Sequence, residues 1–397
     1  MMRSIATKRS TFLGWLSSLL LAVTASGGIL PLHVEGLAGP LSSIQVAGTT
    51  IAGSTLVLGD TAATPTPADP IPTLAYYYIW YTTGSWDRAK KDYPLLGRYS
   101  SNDVSVMRQQ ILWAKAAGID GFIVSWKSTD VLNSRLEQLV EIAEQEDFKL
   151  AIIYQGLDFN RNPLPVSQVA SDLDYFIQHF AGRKPFDLFA KPLVIWSGTW
   201  MFSADQVAQV TRSRRSSLLI LASERNVAGL QRLAGLVDGD AYYWSSVNPD
   251  TFDGYQDKLT QMSAVIHQED GLWIAPAAPG FDATQIGGVT IVDRKNGDTF
   301  RTQINTALAS SPDALGIISW NEFSENSYIE PSQLYGFQDL DILSEINHMP
   351  PLDIGSFDSS DPAQTYPEVP PASKLIAIGG ISVLILAGVI VIARRRS

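Results

Sequence analysis

Between residues 316 and 332 the chain reads GIISWNEFSENSYIEPS. Its first five residues are small, β-branched or aromatic, the composition of a buried strand, and polarity then arrives at once as Asn321, Glu322, Glu325 and Glu330. Glu322 and Glu325 stand three residues apart just past the strand's carboxyl end, where a packed core gives way to solvent or substrate. Two carboxyls so placed suit cleavage of a glycosidic bond: one protonates the leaving oxygen while the other stays ionised as base or nucleophile. Ordinary surface acids on a solvated loop would show the same spacing, so the surrounding elements must distinguish the two.

Other chemistries are poorly supplied. The chain has no cysteine, which rules out a disulfide framework, a thiolate nucleophile and a cysteine-ligated zinc site. Its four histidines, His33, His179, His267 and His348, are too far apart in sequence to make a local metal motif. No serine-hydrolase elbow, phosphate-binding loop or zinc-protease motif occurs. Acid chemistry therefore rests on carboxylates, with no metal or cofactor expected. A net charge of -11 argues against nucleic acid as a partner, because neutralising phosphates takes clustered Lys and Arg. A neutral polymer such as a glycan stays compatible.

Strand-like and helix-like segments alternate along the middle of the chain. The strands are read at 74–81, 121–126, 149–155, 192–196, 218–224, 240–244, 272–277 and 316–320. Helical spacing is read at 104–117, 131–146, 167–180, 204–211, 227–236, 256–268 and 299–308. Apolar strands alternating with amphipathic helices imply parallel pairing, since each crossover returns the chain in the same direction. Eight such strands predict an α/β fold of the closed (β/α)8 TIM-barrel type. An open doubly wound sheet would more often carry a glycine-rich phosphate turn after its first strand, and Tyr81-Thr82-Thr83-Gly84 is not one.

In such a barrel the strands' carboxyl ends converge on one face. They bring there Tyr78, Trp80, Tyr81, Trp126, Lys127, Tyr154, Gln155, Trp196, Glu224, Tyr243, Trp244, Trp320 and Asn321 beside Glu322. Sugar rings lay their C–H faces on indole and phenol rings, so recurrent aromatics at strand ends fit a glycan partner. Strand residues alternate, and half of these rings must face the helices instead. The long loop 276–298 reads as a wall or lid over the site, with Asp282 and Arg294 as substrate contacts. Asp120 precedes a strand and belongs to the opposite, stability face.

The ends point outside the cell. Arg3, Lys8 and Arg9 precede an apolar run at 12–23, and Val23 and Ala25 offer small residues for cleavage, so 1–25 reads as a secretory signal peptide. Residues 26–72 read as a Gly, Thr and Pro-rich linker and 349–373 as a stalk. Residues 375–393 carry no charge and are followed by Arg394, Arg395 and Arg396. As a helix they would reach about 28 Å, enough for one transmembrane span with a basic cytoplasmic tail at 374–397. The barrel at 73–348 is then expected on the cell membrane's outer side.

The segment 74–345 resembles glycoside hydrolase family 99 and the wider set of family-99-like (WbsX-like) domains. The resemblance is carried by YYYIWY near the start, GIDGFIVSW, the PGFD segment before Arg294, and above all SWNE followed by Glu325 and YIEPS. It implies a (β/α)8 barrel acting on α-mannosidic linkages inside a glycan, with retention and without a reacting metal. It implies further that Glu322 acts as base on the sugar 2-hydroxyl, giving an anhydro-sugar intermediate, and that Glu325 is the general acid and base at the leaving oxygen. The chain has Phe323, Ser324 and Asn326 where the family usually carries Trp, His and Gly. The same residues also fit a surface glycan-binding protein that does not turn its ligand over.

Overall fold

The computed structural model describes residues 71–352. The predicted signal peptide, most of the linker and stalk, and the predicted membrane helix with its basic tail lie outside the described residues. Among the described residues no helix is long and apolar enough to cross a membrane.

Eight parallel strands close into a barrel. In chain order they are β1 (Thr73–Tyr78), β2 (Gly121–Trp126), β3 (Lys149–Gln155), β4 (Leu193–Ser197), β5 (Leu219–Ala222), β6 (Gly239–Ala241), β7 (Leu272–Ala277) and β10 (Ala314–Ile317), with β1 pairing both β2 and β10. Between β7 and β10 a short antiparallel pair, β8 (Phe281–Asp282) and β9 (Ile291–Val292), forms a hairpin inside the loop expected to wall the site. Helices α1 (Val104–Ala116), α2 (Asp130–Gln145), α3 (Val166–His179), α4 (Ala204–Thr211), α5 (Val227–Leu233), α6 (Tyr255–Gln268), α7 (Asp298–Leu308) and α8 (Gln338–Ile346) follow the successive barrel strands. The fold is the expected (β/α)8 barrel. Helix α8 had no counterpart in the sequence reading, because the polar motif before it masks the resumption of helical spacing.

Strand parity divides the core in two. Leu74, Tyr76, Ile123, Ala151, Ile153, Ile195, Leu221 and Ile274 fill the barrel, whereas Tyr77, Phe122, Val124, Ile152, Val194 and Trp273 pack outward with the helices. The inward position Gly316 lies where a Cβ would come within 3.1 Å of the Tyr76 ring, so its lack of a side chain lets that phenol cross the barrel. At the amino end, the Asp120 carboxylate accepts from the Thr73 amide at 2.8 Å and staples β1 to β2, as its stability-face position implies.

Candidate active site

The acid pair sits on a loop held at both ends by backbone hydrogen bonds. Regular pairing of β10 ends at Ile317 rather than continuing to residue 320, after which Ile318 donates to Ala277 O at 2.8 Å and Trp320 to Tyr76 O at 2.7 Å. The chain then turns back: Ser319 donates to Ser327 O at 2.7 Å, Ile329 to Ser319 O at 2.8 Å and Glu330 to Trp320 O at 2.8 Å. Residues 321–326 form the tip, so Glu322 and Glu325 emerge from one short excursion at the barrel mouth. Asn321, fully buried, ties the tip to β1: its side chain accepts from Tyr78 N at 2.8 Å and donates to Tyr78 O at 3.0 Å and to Tyr99 Oη at 3.2 Å. Tyr81 Oη donates to Asn321 O at 2.5 Å. Asn326 has φ 53°, a left-handed conformation that glycine favours and asparagine tolerates next best. The departure from glycine there keeps the turn.

Burial, and then the negative charge of Glu325, push the Glu322 carboxyl up to about 8. The Ser324 amide, donating at 3.1 Å, and the Lys90 ammonium oppose that rise. Glu325 is half-buried and also raised, by burial, against the pull of Arg161 from the loop after β3. Both neighbouring carboxyls thus hold a proton more tightly than a free carboxyl does. The Tyr78 and Tyr243 hydroxyls, from β1 and the segment after β6, hydrogen-bond at 2.5 Å. Burial and the nearby carboxylates hold both phenols protonated. Since one phenolic hydrogen serves the other ring, the second is free for an acceptor.

Of the residues expected at the site, Tyr78, Tyr243, Asn321, Glu322 and Glu325 come together at the mouth. Trp80 is partly buried and stacks on Tyr78 with ring centroids 4.2 Å apart. Tyr81 lies beneath, stacked on Trp86 at 4.7 Å, so it supports the loop rather than facing a ligand. Trp126, Tyr154 and Trp196 fall on the outer parity of their strands and are sealed in the shell between strands and helices, and Trp320, past the end of β10, is buried in the same shell. Trp126 Nε1 donates to Asn133 at 3.0 Å and Tyr154 Oη to Asp172 at 3.0 Å. Glu224 is likewise buried away from the mouth, paired with Arg232 at 2.9 Å. Trp244 is 42% exposed but lies beside Lys258 and lines a cavity at the α5–α6 edge. Alternation accounts for Trp126, Tyr154 and Trp196, whereas Glu224, Trp244 and Trp320 lie past the ends of their strands, where the turn of the chain and not the strand period sets their direction.

The two loop residues expected to touch substrate are structural. Arg294 is buried: it pairs with Asp339 of α8 at 2.5 Å, donates to Asn326 O at 3.0 Å and Tyr328 O at 2.8 Å, and lies over the rings of Tyr328 and Tyr335. Asp282 pairs with Lys91 and accepts from Thr284 N at 2.9 Å. Its own amide donates to Glu325 O at 2.8 Å, so the β8–β9 hairpin braces the acid loop.

Sequence reasoning missed the contribution of the loop after β1. It supplies Lys90 beside Glu322, Trp86 against Phe323 at 5.5 Å, and Tyr99, which donates to the buried Glu330 at 2.8 Å. Gln110 donates to the other Glu330 oxygen at 2.7 Å. The available signal was length: residues 82–103 separate the first strand from the first helix at the catalytic end, and a long loop in a compact domain is usually functional.

A closed parallel barrel with two neighbouring carboxyls on the loop after its last strand defines the class of (β/α)8 barrel proteins with a carboxylate site at the strands' carboxyl ends. Within that class, residues 80–352 match the model for glycosyl hydrolase family 99, and the chain belongs to that family. It is 23% identical over 271 residues to a glycoprotein endo-alpha-1,2-mannosidase-like protein of Danio rerio, covering 62% of this chain and 60% of that one. It is 21% identical over 265 residues to a glycoprotein endo-alpha-1,2-mannosidase of Mus musculus. The match thus spans about 60% of the length of the first of these relatives and 56% of the second. Among solved structures, the GH99 endo-alpha-mannosidase from Bacteroides thetaiotaomicron shares the fold, with TM-score 0.62 at 20% identity, covering 70% of this chain and 98% of that one.

Proposed function

We propose that the protein is an exported, membrane-anchored glycoside hydrolase that cleaves α-mannosidic linkages within a glycan, with retention, through Glu322 and Glu325. The single observation that carries this reading is the acid loop itself, two carboxyls of raised proton affinity held at the barrel mouth beside the Tyr78–Tyr243 hydroxyl pair. Family membership and the names of the relatives support the substrate class. In the proposed reaction Glu322, as carboxylate, takes the proton of the sugar 2-hydroxyl while that oxygen attacks the anomeric carbon. Glu325 gives its proton to the departing oxygen, so once substrate is seated Glu325 must be the protonated member of the pair and Glu322 the ionised one. Water, deprotonated by Glu325, then opens the anhydro sugar, and Glu322 returns the proton to the 2-oxygen. The apolar run at 375–393 with its three arginines supports the anchor.

The test is product analysis on α-mannan oligosaccharides. The wild type is expected to release shorter oligosaccharides whose new reducing end keeps the anomeric configuration, and Glu325→Gln to lower the rate by about 10³-fold or more. Undiminished release by that variant refutes the assignment. Binding without any product establishes instead a glycan-binding protein, a reading favoured by Ser324 where the family usually has a histidine.

A further inference from the structure

A cavity of 570 Å³ opens at the α5–α6 edge, apart from the acid loop. Arg225 and Asn226 from the loop after β5 line it with Trp244 from the segment after β6 and Lys258, Gln261 and Met262 of α6. Because Arg225, Asn226 and Trp244 follow strand carboxyl ends, the cavity belongs to the same end of the barrel as the acid pair. No carboxylate lines it. Among the described residues neither Arg225 nor Lys258 takes part in an ion pair, whereas Arg232 of the neighbouring α5 pairs with Glu224.

The two cations are instead held by aromatic rings. Arg225 lies over Trp200, 4.2 Å from the ring centroid. Lys258 Nζ lies 4.4 Å from the centroid of Tyr242 and 5.1 Å from that of Trp244, and donates to Tyr242 Oη at 2.6 Å. Burial, and then the like charge of Arg225, lower the ammonium to about 8, so it sits in a positive field with no counter-charge of its own. Trp244 Nε1 donates to Ser246 Oγ at 2.9 Å, which fixes the indole while 42% of the residue stays accessible. A guanidinium and an ammonium converging without an acid suit an oxyanion, and an anchored, exposed indole suits the C–H face of a sugar.

We propose that this cavity is a second carbohydrate site, binding a glycan that carries an oxyanion substituent between Arg225 and Lys258 with a sugar ring on Trp244. It deepens the glycan reading above and rests on it. The site gives the enzyme a hold on a charged branch or chain end while the acid pair works on another residue of the same glycan.

Calorimetric titration of the full chain tests it, with an oligomannose bearing a 6-phosphate, an oligomannose ending in a uronic acid, the same oligomannose unmodified, and inorganic phosphate. At least one charged oligosaccharide is expected to bind about tenfold or more tighter than the neutral one, with the preference shrinking as salt rises. Arg225→Gln with Lys258→Gln should erase that preference, and Trp244→Ala should weaken the charged ligand. Arg225 is exposed, so Arg225→Gln alone keeps the test open if the double variant fails to fold. Equal affinity for neutral and charged chains overturns the proposal, as does a preference that survives the substitutions. Inorganic phosphate binding as tightly as the charged oligosaccharides overturns it too, by reducing the site to an ion site. The readout is binding, so a chain that makes no product can still show the preference, and one that makes product can lack it.

Discussion

At the residue scale, burial tunes the carboxyls of the acid loop. Glu322 and Glu330 are both pushed up to about 8 from an ordinary value of 4.5, Glu330 by burial against the hydrogen bonds from Gln110 and Tyr99. The folded protein therefore keeps protons that the unfolded chain has released between those two pH values, and stability falls as pH rises through that window. Thermal unfolding followed from about pH 5 to about pH 8.5 is expected to show a declining midpoint. Glu330→Gln, which keeps one acceptor and removes the titration, is expected to flatten that decline. An unchanged slope would mean that Glu330 is ionised in the fold. The departures at 323, 324 and 326 also resolve at this scale. Phe323 stacks on Tyr328 at 3.9 Å and Asn326 holds the left-handed turn, so two of the three keep the loop's architecture.

At the scale of elements, parity and bracing decide which conspicuous side chains serve the site. Tyr78 and Trp126 both end strands, yet one faces the mouth and the other the helices. Tyr78→Phe is expected to lower product formation with little change in unfolding midpoint. Trp126→Ala is expected to destabilise by about 3–5 kcal/mol, through the cavity it leaves and the lost bond to Asn133. Denaturant titration beside product assays checks both, and the reverse pattern would invert the parity assignment. Arg294 and Asp339 connect the hairpin, the acid loop and α8. Arg294→Met is expected to cost about 3–5 kcal/mol because it strands a buried carboxylate, and adding Asp339→Leu to recover most of it. Additive losses in that double-mutant cycle would show that the two residues do not depend on each other.

For the molecule as a whole, the proposed anchor predicts where the protein resides. Deleting 374–397 is expected to move it from the membrane fraction to the soluble exported fraction with turnover retained, checked by fractionation and product assay. A wild-type chain already soluble in that experiment removes the anchor from the proposal. The barrel itself was legible in the order of residue types, since eight apolar runs separated by helical spacing leave few parallel arrangements, and the motif 316–332 marked the acid pair by chemistry and position alone. What the sequence could not decide was which strand-end rings face inward, that Arg294 and Asp282 brace the loop, and that the loop after β1 delivers Lys90 and Tyr99. Alternation is set by register within a closed sheet, and bracing by contacts between residues far apart in the chain. Glu330 and Asn321 meet Tyr99 across more than two hundred positions, and Arg294 meets Asp339 across 45. Such partners are chosen only when the barrel closes and brings its first and last strands side by side.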